Sequence, residues 1–292
     1  MHRRFFHLML LTLVTALSWA CWPGESVASE PAFERVFVDV DRFEELREEG
    51  AAVFDVRSTL KYRTAHVPGA AHTPWESFVD GRGTGLVSDH DGKLTTLLRN
   101  AGVNADKPVL IYGNWSARQA WGEEGRLLWM LHYLGHEDVY ILQGGFDRWQ
   151  SKGHTVSRLT TQIEKGDFEI QRKPSLRART GTLLKKIEAD GEDLVLLDTR
   201  EKVEFEGNVK YGEKRPGHIP GAKHLWWHDL YAADGTIKPP AELRRLFALH
   251  GITPESNVVT YCTGGIRSGF VYGVLHALGY TNIQNYDGSM WE

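Results

Sequence analysis

The stretch VVTYCTGGIRSGF, residues 258–270, decides the fold. An apolar, β-branched run ends at Tyr261, two glycines follow closely, and apolar residues at helical spacing resume. That order predicts a buried strand, a tight loop and a helix beginning near Ser268. A second stretch, VLIYGNWSARQAW at 109–121, has the same strand. There Gly113 stands where Cys262 stands in the other, and the loop is about five residues longer before the helix resumes.

Working outward, the two halves of the chain echo each other. FEELREEGAAVFDVR (43–57) matches LLKKIEADGEDLVLLDTR (183–200), each an amphipathic helix, a turn, a strand and an Asp-x-Arg unit. HVPGAAH (66–72) matches HIPGAKH (218–224) at a spacing nine residues larger, which places an insertion around EGNVKYGEKRP in the second copy. AGVNADKPVLIYG (101–113) matches HGITPESNVVTYC (250–262), and LGHEDVYILQGGF (134–146) matches LGYTNIQNYDGSM (278–290). Four blocks in the same order mark a duplicated domain. Helical patterns alternate with short, continuously apolar strands, so each copy is expected to be an α/β domain with a parallel sheet and helices on both faces. The expected domains are 29–156 and 181–292, joined by a polar linker at 157–180.

The N-terminal segment is of another kind. Residues 1–28 run from Arg3 and Arg4 through an apolar stretch to Ser26-Val27-Ala28. That order predicts a secretory signal cleaved after Ala28, and hence an exported, periplasmic protein without stable membrane insertion. A retained anchor and lipidation of Cys21 are the competing readings. Cleavage removes one of the two cysteines and leaves Cys262 alone, so no disulfide forms within the chain. A lone cysteine in an oxidising compartment is either buried and inert or kept for its reactivity. The formal net charge of −4 implies no general affinity for nucleic acid.

The loop after Tyr261 points to reactivity. Gly264 and Gly265 let several backbone N–H groups turn inward at a helix start, and such a nest stabilises an anion. A thiol at its rim is expected to react as thiolate. Arg267 adds a positive charge, and Thr263 and Ser268 offer hydroxyl donors to sulfur. His66 and His218, in the His-x-Pro-Gly-Ala turns, are expected to be structural. His224 and His228 share the i, i+4 spacing of zinc helices, but no third ligand is evident nearby, so no metal is predicted. Trp115, Trp121 and Trp129 are expected to serve packing rather than a substrate box, with access shaped by a tryptophan at the domain cleft as the alternative.

Together these motifs resemble the tandem-domain rhodanese-type sulfurtransferases. The resemblance rests on DVR and DTR, HVPGA and HIPGA, CTGGIRS, and LQGGFDRW answered by NYDGSMWE. It implies a catalytic C-terminal domain, a silent N-terminal domain and a site in the cleft between them. It further implies that Cys262 takes a sulfane sulfur from a small anionic donor such as thiosulfate. The resulting persulfide, cradled by Thr263, Gly264, Gly265, Ile266 and Ser268, passes the sulfur to cyanide or another thiophilic acceptor. Arg200, of the second Asp-x-Arg unit, and Arg215 join Arg267 as expected donor-binding residues, and Asp198 braces the loop. No cofactor is implied. CTGGIRS matches neither the Cys-Arg-Lys-Gly-Val-Thr nor the Cys-Gly-(Ser/Thr)-Gly-Val-Thr loop of animal-type enzymes, and is more similar to the loops of single-domain rhodaneses. Two alternatives stand beside this reading. One is a periplasmic persulfide carrier with little turnover. The other is a phosphatase of the same fold, whose loop is one residue longer between cysteine and arginine.

Overall fold

The computed structural model describes residues 31–81, 83–114, 120–160, 162–189 and 194–292. The expected signal segment, Cys21 and Trp115 lie outside them. Two five-stranded sheets form, one from each half. The first holds β1 (Phe37–Val38), β2 (Ala52–Asp55), β3 (Ala71–His72), β4 (Val109–Tyr112) and β5 (Val139–Leu142), in the order β1-β5-β4-β2-β3. The second holds β6 (Arg177–Ala178), β7 (Leu194–Asp198), β8 (Lys223–His224), β9 (Asn257–Tyr261) and β10 (Ile283–Tyr286), in the order β6-β10-β9-β7-β8. All pairings within both sheets are parallel. Parallel sheets need crossovers and are covered by helices, which is why β4 and β9 read as unbroken apolar runs. Among the described residues no helix is long and apolar enough to cross a membrane.

The registers repeat residue for residue. Asp55 pairs with His72 and Tyr112, and Asp198 with His224 and Tyr261. Two details differ from the sequence reading. The segment read as linker, 157–180, ends in β6, the edge strand of the second sheet, because Arg177 and Ala178 pair with Asn285 and Tyr286. The helix after Cys262 spans Ile266–Ala277 and so starts two residues earlier than expected. Gly265 caps it at φ 80°, a left-handed conformation that lets the chain turn into the helix at once.

That helix packs along Glu123–Leu134, which follows β4 in the first domain. Their close crossing depends on glycine. A Cβ on Gly125 would lie 2.3 Å from Phe270 Cα, and one on Gly269 would lie 2.9 Å from Arg126 Cα. Core residues of both domains, among them Leu127, Leu128, Phe270 and Val274, therefore form one continuous apolar cluster.

The Asp-x-Arg units brace the sheet ends, and they do so in duplicate. In the first domain Arg57 Nε and Nη2 donate to the Asp55 carboxylate at 2.9 and 2.6 Å, and Nη2 donates to Ala65 O at 2.6 Å. In the second, Arg200 makes the same pair with Asp198 at 2.9 and 2.6 Å, and reaches Gly217 O at 2.7 Å. The His-x-Pro-Gly turns complete each brace. His66 and His218 hydrogen-bond Tyr62 O and Phe205 O and stack on the same two rings. His72 and His224 each hydrogen-bond the carbonyl of the arginine, both at 2.8 Å. A buried ion pair broken on one side leaves an uncompensated charge. Arg57→Met and Arg200→Met should therefore each destabilise the protein by about 3–5 kcal/mol in urea unfolding. An Arg200→Met protein of unchanged stability would contradict this bracing role.

Candidate active site

β9 delivers Cys262 to the floor of a cleft of about 230 Å³ between the domains. The second domain contributes Cys262, Thr263, Gly264, Ile266, Arg267, Tyr211 and Trp291. The first contributes Trp75, Glu76, Trp121 and Glu123. Cys262 itself is only 1% exposed. Its loop is folded back on the chain end: Trp291 N donates to Thr263 O at 2.9 Å, and Cys262 N donates to Ser289 Oγ at 3.1 Å.

The sulfur is surrounded by donors. Gly265 N–H points at Cys262 Sγ from 3.1 Å, and Ser268 Oγ lies 3.6 Å away. The Ser268 hydroxyl is also 2.6 Å from Asn285 Oδ1, so its one proton is shared between an amide oxygen and the sulfur. Burial pushes the thiol pKa up, but this is outweighed by the Arg267 charge and by hydrogen bonds from the Ser268 amide, the Ser268 hydroxyl and the Gly264 amide. The net shift is downward, toward thiolate.

The cations are arranged otherwise than the sequence suggested. Arg267 lines the cleft, but its guanidinium is held in a fork by Glu204, at 2.6 and 2.8 Å, and donates to Thr263 Oγ1 at 2.6 Å. Thr263 therefore does not serve the sulfur: its hydroxyl lies 3.0 Å from Glu204 Oε1 and 3.2 Å from Glu213 Oε1. Arg200 is buried in its brace and absent from the cleft wall, for the reason its twin Arg57 makes plain. Arg215 is exposed and also absent from that wall. Of the three expected donor-binding arginines, the structure brings only Arg267 to the cleft that holds Cys262. Asp198 supports the loop indirectly, through Arg200 and the Tyr261 hydroxyl. Trp129 packs in the core, whereas Trp121 is 41% exposed and stands at the cleft rather than in packing.

The first domain holds the loop from behind. Arg126, on the helix Glu123–Leu134, is fully buried and donates to Gly265 O at 3.2 Å and to Gly85 O. Burial pushes its pKa down to about 10, against the favourable charges of Asp287 and Cys262. Gly85 in turn sits against the loop so closely that a Cβ there would lie 2.1 Å from Gly264 O. At the corresponding place in the first domain no thiol would fit without movement. A Cβ on Gly113 would lie 2.6 Å from the carboxylate of Glu124, whose other oxygen accepts from Tyr231.

A family model, described as "Rhodanese-like domain", matches residues 39–152 and again 180–292. The chain belongs to the rhodanese-like family. Among its relatives is the sulfur carrier protein TtuD of Thermus thermophilus, 32% identical over 280 residues, covering 89% of this chain and 94% of that one. Another is a thiosulfate sulfurtransferase of Corynebacterium glutamicum, 30% identical over 247 residues and covering 80% and 78%. Among solved structures, YnjE superposes with a TM-score of 0.76 at 24% identity, covering 89% of this chain and 66% of that one. Wild-type EanB gives a TM-score of 0.72 at 22% identity, covering 88% and 61%. This chain thus spans less than two thirds of each of those two proteins, and at such identity the likeness concerns the fold.

In this rhodanese-like protein the sequence reading missed several residues of the site. Arg126 was visible as a charge within an otherwise apolar helical pattern, GRLLWML. Glu204 sits in a capping box on the short helix Lys202–Phe205. Tyr211 and Glu213 come from the insertion peculiar to the second copy, and Trp291 Nε1 donates to Tyr211 O at 2.9 Å. Asn285 and Ser289 lie within NYDGSMWE, a stretch that sequence alone marks as a repeated motif without assigning these side chains to the thiol.

Because the thiol pKa is lowered, Cys262 should keep its thiolate below the ordinary thiol range and lose it only as pH falls through the lowered value. Alkylation by iodoacetamide followed against pH should show that midpoint. Arg267→Gln should move it upward by about one pH unit or more. An unmoved midpoint would show that the amides alone set the thiol.

Proposed function

We propose that the protein is a sulfurtransferase that carries a sulfane sulfur as a persulfide on Cys262. One observation carries this reading: a buried thiol, held toward its thiolate form by the Arg267 charge and by hydrogen bonds from its loop, forms the floor of an interdomain cleft. The thiolate attacks the outer sulfur of a donor such as thiosulfate, and sulfite leaves with the electron pair of the broken S–S bond. The outer sulfur of the persulfide is then anionic and rests among the amides that served the thiolate. An acceptor nucleophile takes that sulfur and returns the thiolate. The relatives named as thiosulfate sulfurtransferases support the same chemistry.

The phosphatase reading loses its support here. Only four residues separate Cys262 from Arg267, one fewer than in the loop that wraps a phosphate, so fewer amides can surround a tetrahedral oxyanion. The carrier reading keeps one specific support, the similarity to a sulfur carrier protein over most of both chains. Loading and delivery by Cys262 are common to carrier and enzyme, which differ only in the acceptor. We further propose that the protein is exported to the periplasm with its signal removed after Ala28, on the pattern of residues 1–28.

Thiocyanate production from thiosulfate and cyanide tests the reading. The wild-type protein should turn over, and Cys262→Ser should lose at least about three orders of magnitude, as expected when a covalent nucleophile is removed. Turnover that survives this substitution would sink the mechanism.

A further inference from the structure

The walls of the cleft above Cys262 are aromatic and acidic. Trp75 and Trp121 of the first domain and Tyr211 and Trp291 of the second provide four aromatic walls. The Trp121 and Tyr211 rings meet edge to face across the domain boundary, with centroids 5.3 Å apart. Two carboxylates, Glu76 and Glu123, lie in the same walls. Among the described residues that line the cleft, the cation is Arg267, which is forked by Glu204 and lies 5.3 Å from the centre of the Tyr211 ring. Burial, with a smaller contribution from the charge of Glu76 and against that of Lys61, pushes the Glu123 pKa up to about 7, so Glu123 carries its full charge only above that pH. Aromatic faces flanked by carboxylates attract ammonium groups and repel anions.

Loading makes the contrast sharper. A persulfide adds an anionic sulfur to the floor of a cleft that already carries carboxylates in its walls. An incoming thiolate with a further negative group meets repulsion, whereas one with an ammonium group offsets it. Resting on the sulfur-transfer reading above, we propose that the physiological acceptor is a small cationic thiol, an aminothiol in chemical class. Its ammonium group is held between the aromatic rings and the carboxylates Glu76 and Glu123. In the transfer, the acceptor thiolate attacks the outer sulfur of the Cys262 persulfide and a new S–S bond forms. The bond from that sulfur to Sγ breaks, and its electron pair stays on Cys262 as thiolate. The acceptor leaves as its own persulfide, with no outside oxidant or reductant.

The test compares three thiols of similar size at low salt: cysteamine, 2-mercaptoethanol and 3-mercaptopropionate. The protein is first loaded with thiosulfate and desalted, and its cyanide-labile sulfur is measured. Discharge rates are then followed at equal loading in the wild type, in Glu76→Gln/Glu123→Gln and in Trp121→Leu. Intrinsic thiol reactivity cancels when the cysteamine to 3-mercaptopropionate rate ratio is compared between proteins. The ratio should fall roughly tenfold in the double variant, less in Trp121→Leu, and should fall in the wild type as salt is added. A protein that loads fully but shows the same ratio in wild type and double variant overturns the cationic acceptor alone. A wild-type protein that takes up no labile sulfur overturns the sulfur-transfer reading, and this proposal with it.

Discussion

A guanidinium from one domain holds a carbonyl of the other. Arg126 reaches from the helix Glu123–Leu134 to Gly265 O, the residue that caps the helix after the nucleophile and whose N–H meets the sulfur. Burying a guanidinium without a carboxylate is costly. Here two carbonyls and the face of Trp129, 4.8 Å from the guanidinium carbon, take the place of water. The contact is possible only because Gly125 and Gly269 let the two helices approach. The first domain, which has no cysteine at the matching place, thus fixes the back of the loop and walls one side of the cleft.

The electrostatic design follows from where the cations are tied up. Arg200 belongs to a brace that the first domain repeats with Arg57, and Arg267 is forked by Glu204. Backbone amides and one hydroxyl therefore stand closest to the sulfur, with the Arg267 charge behind them. Amides fixed by the fold need no rearrangement when the charge moves from Sγ to an outer sulfur, and that suits a covalent carrier. The walls above have an acidic and aromatic character, so the floor stabilises an anion while the walls offer partners to an ammonium group.

Much of this was legible in the sequence because duplication doubles every signal. The four matched blocks become two sheets of identical strand order, and Asp55 and Asp198 fall at the same register. The contrast of Gly113 with Cys262 singled out the thiol that the structure places in the cleft. Direction was harder to read. A motif shows that arginine follows Asp198, not that its guanidinium folds back on that aspartate. The same motif in the silent copy held the answer, since a residue retained without a nucleophile nearby points to structure. The helix start was misplaced because apolar spacing registers only once side chains pack, whereas Gly265 had already turned the backbone. Arg126, Glu204 and Glu213 act across long sequence separations, which periodicity does not encode.

The central claim is that sulfur resides on one atom, Cys262 Sγ. The most direct test is peptide mass spectrometry of the wild-type protein after thiosulfate, before any acceptor is added. The peptide that contains Cys262 should gain one sulfur atom, and lose it on brief exposure to cyanide. A protein that turns over thiosulfate while this peptide keeps its unmodified mass at every stage would contradict the claim.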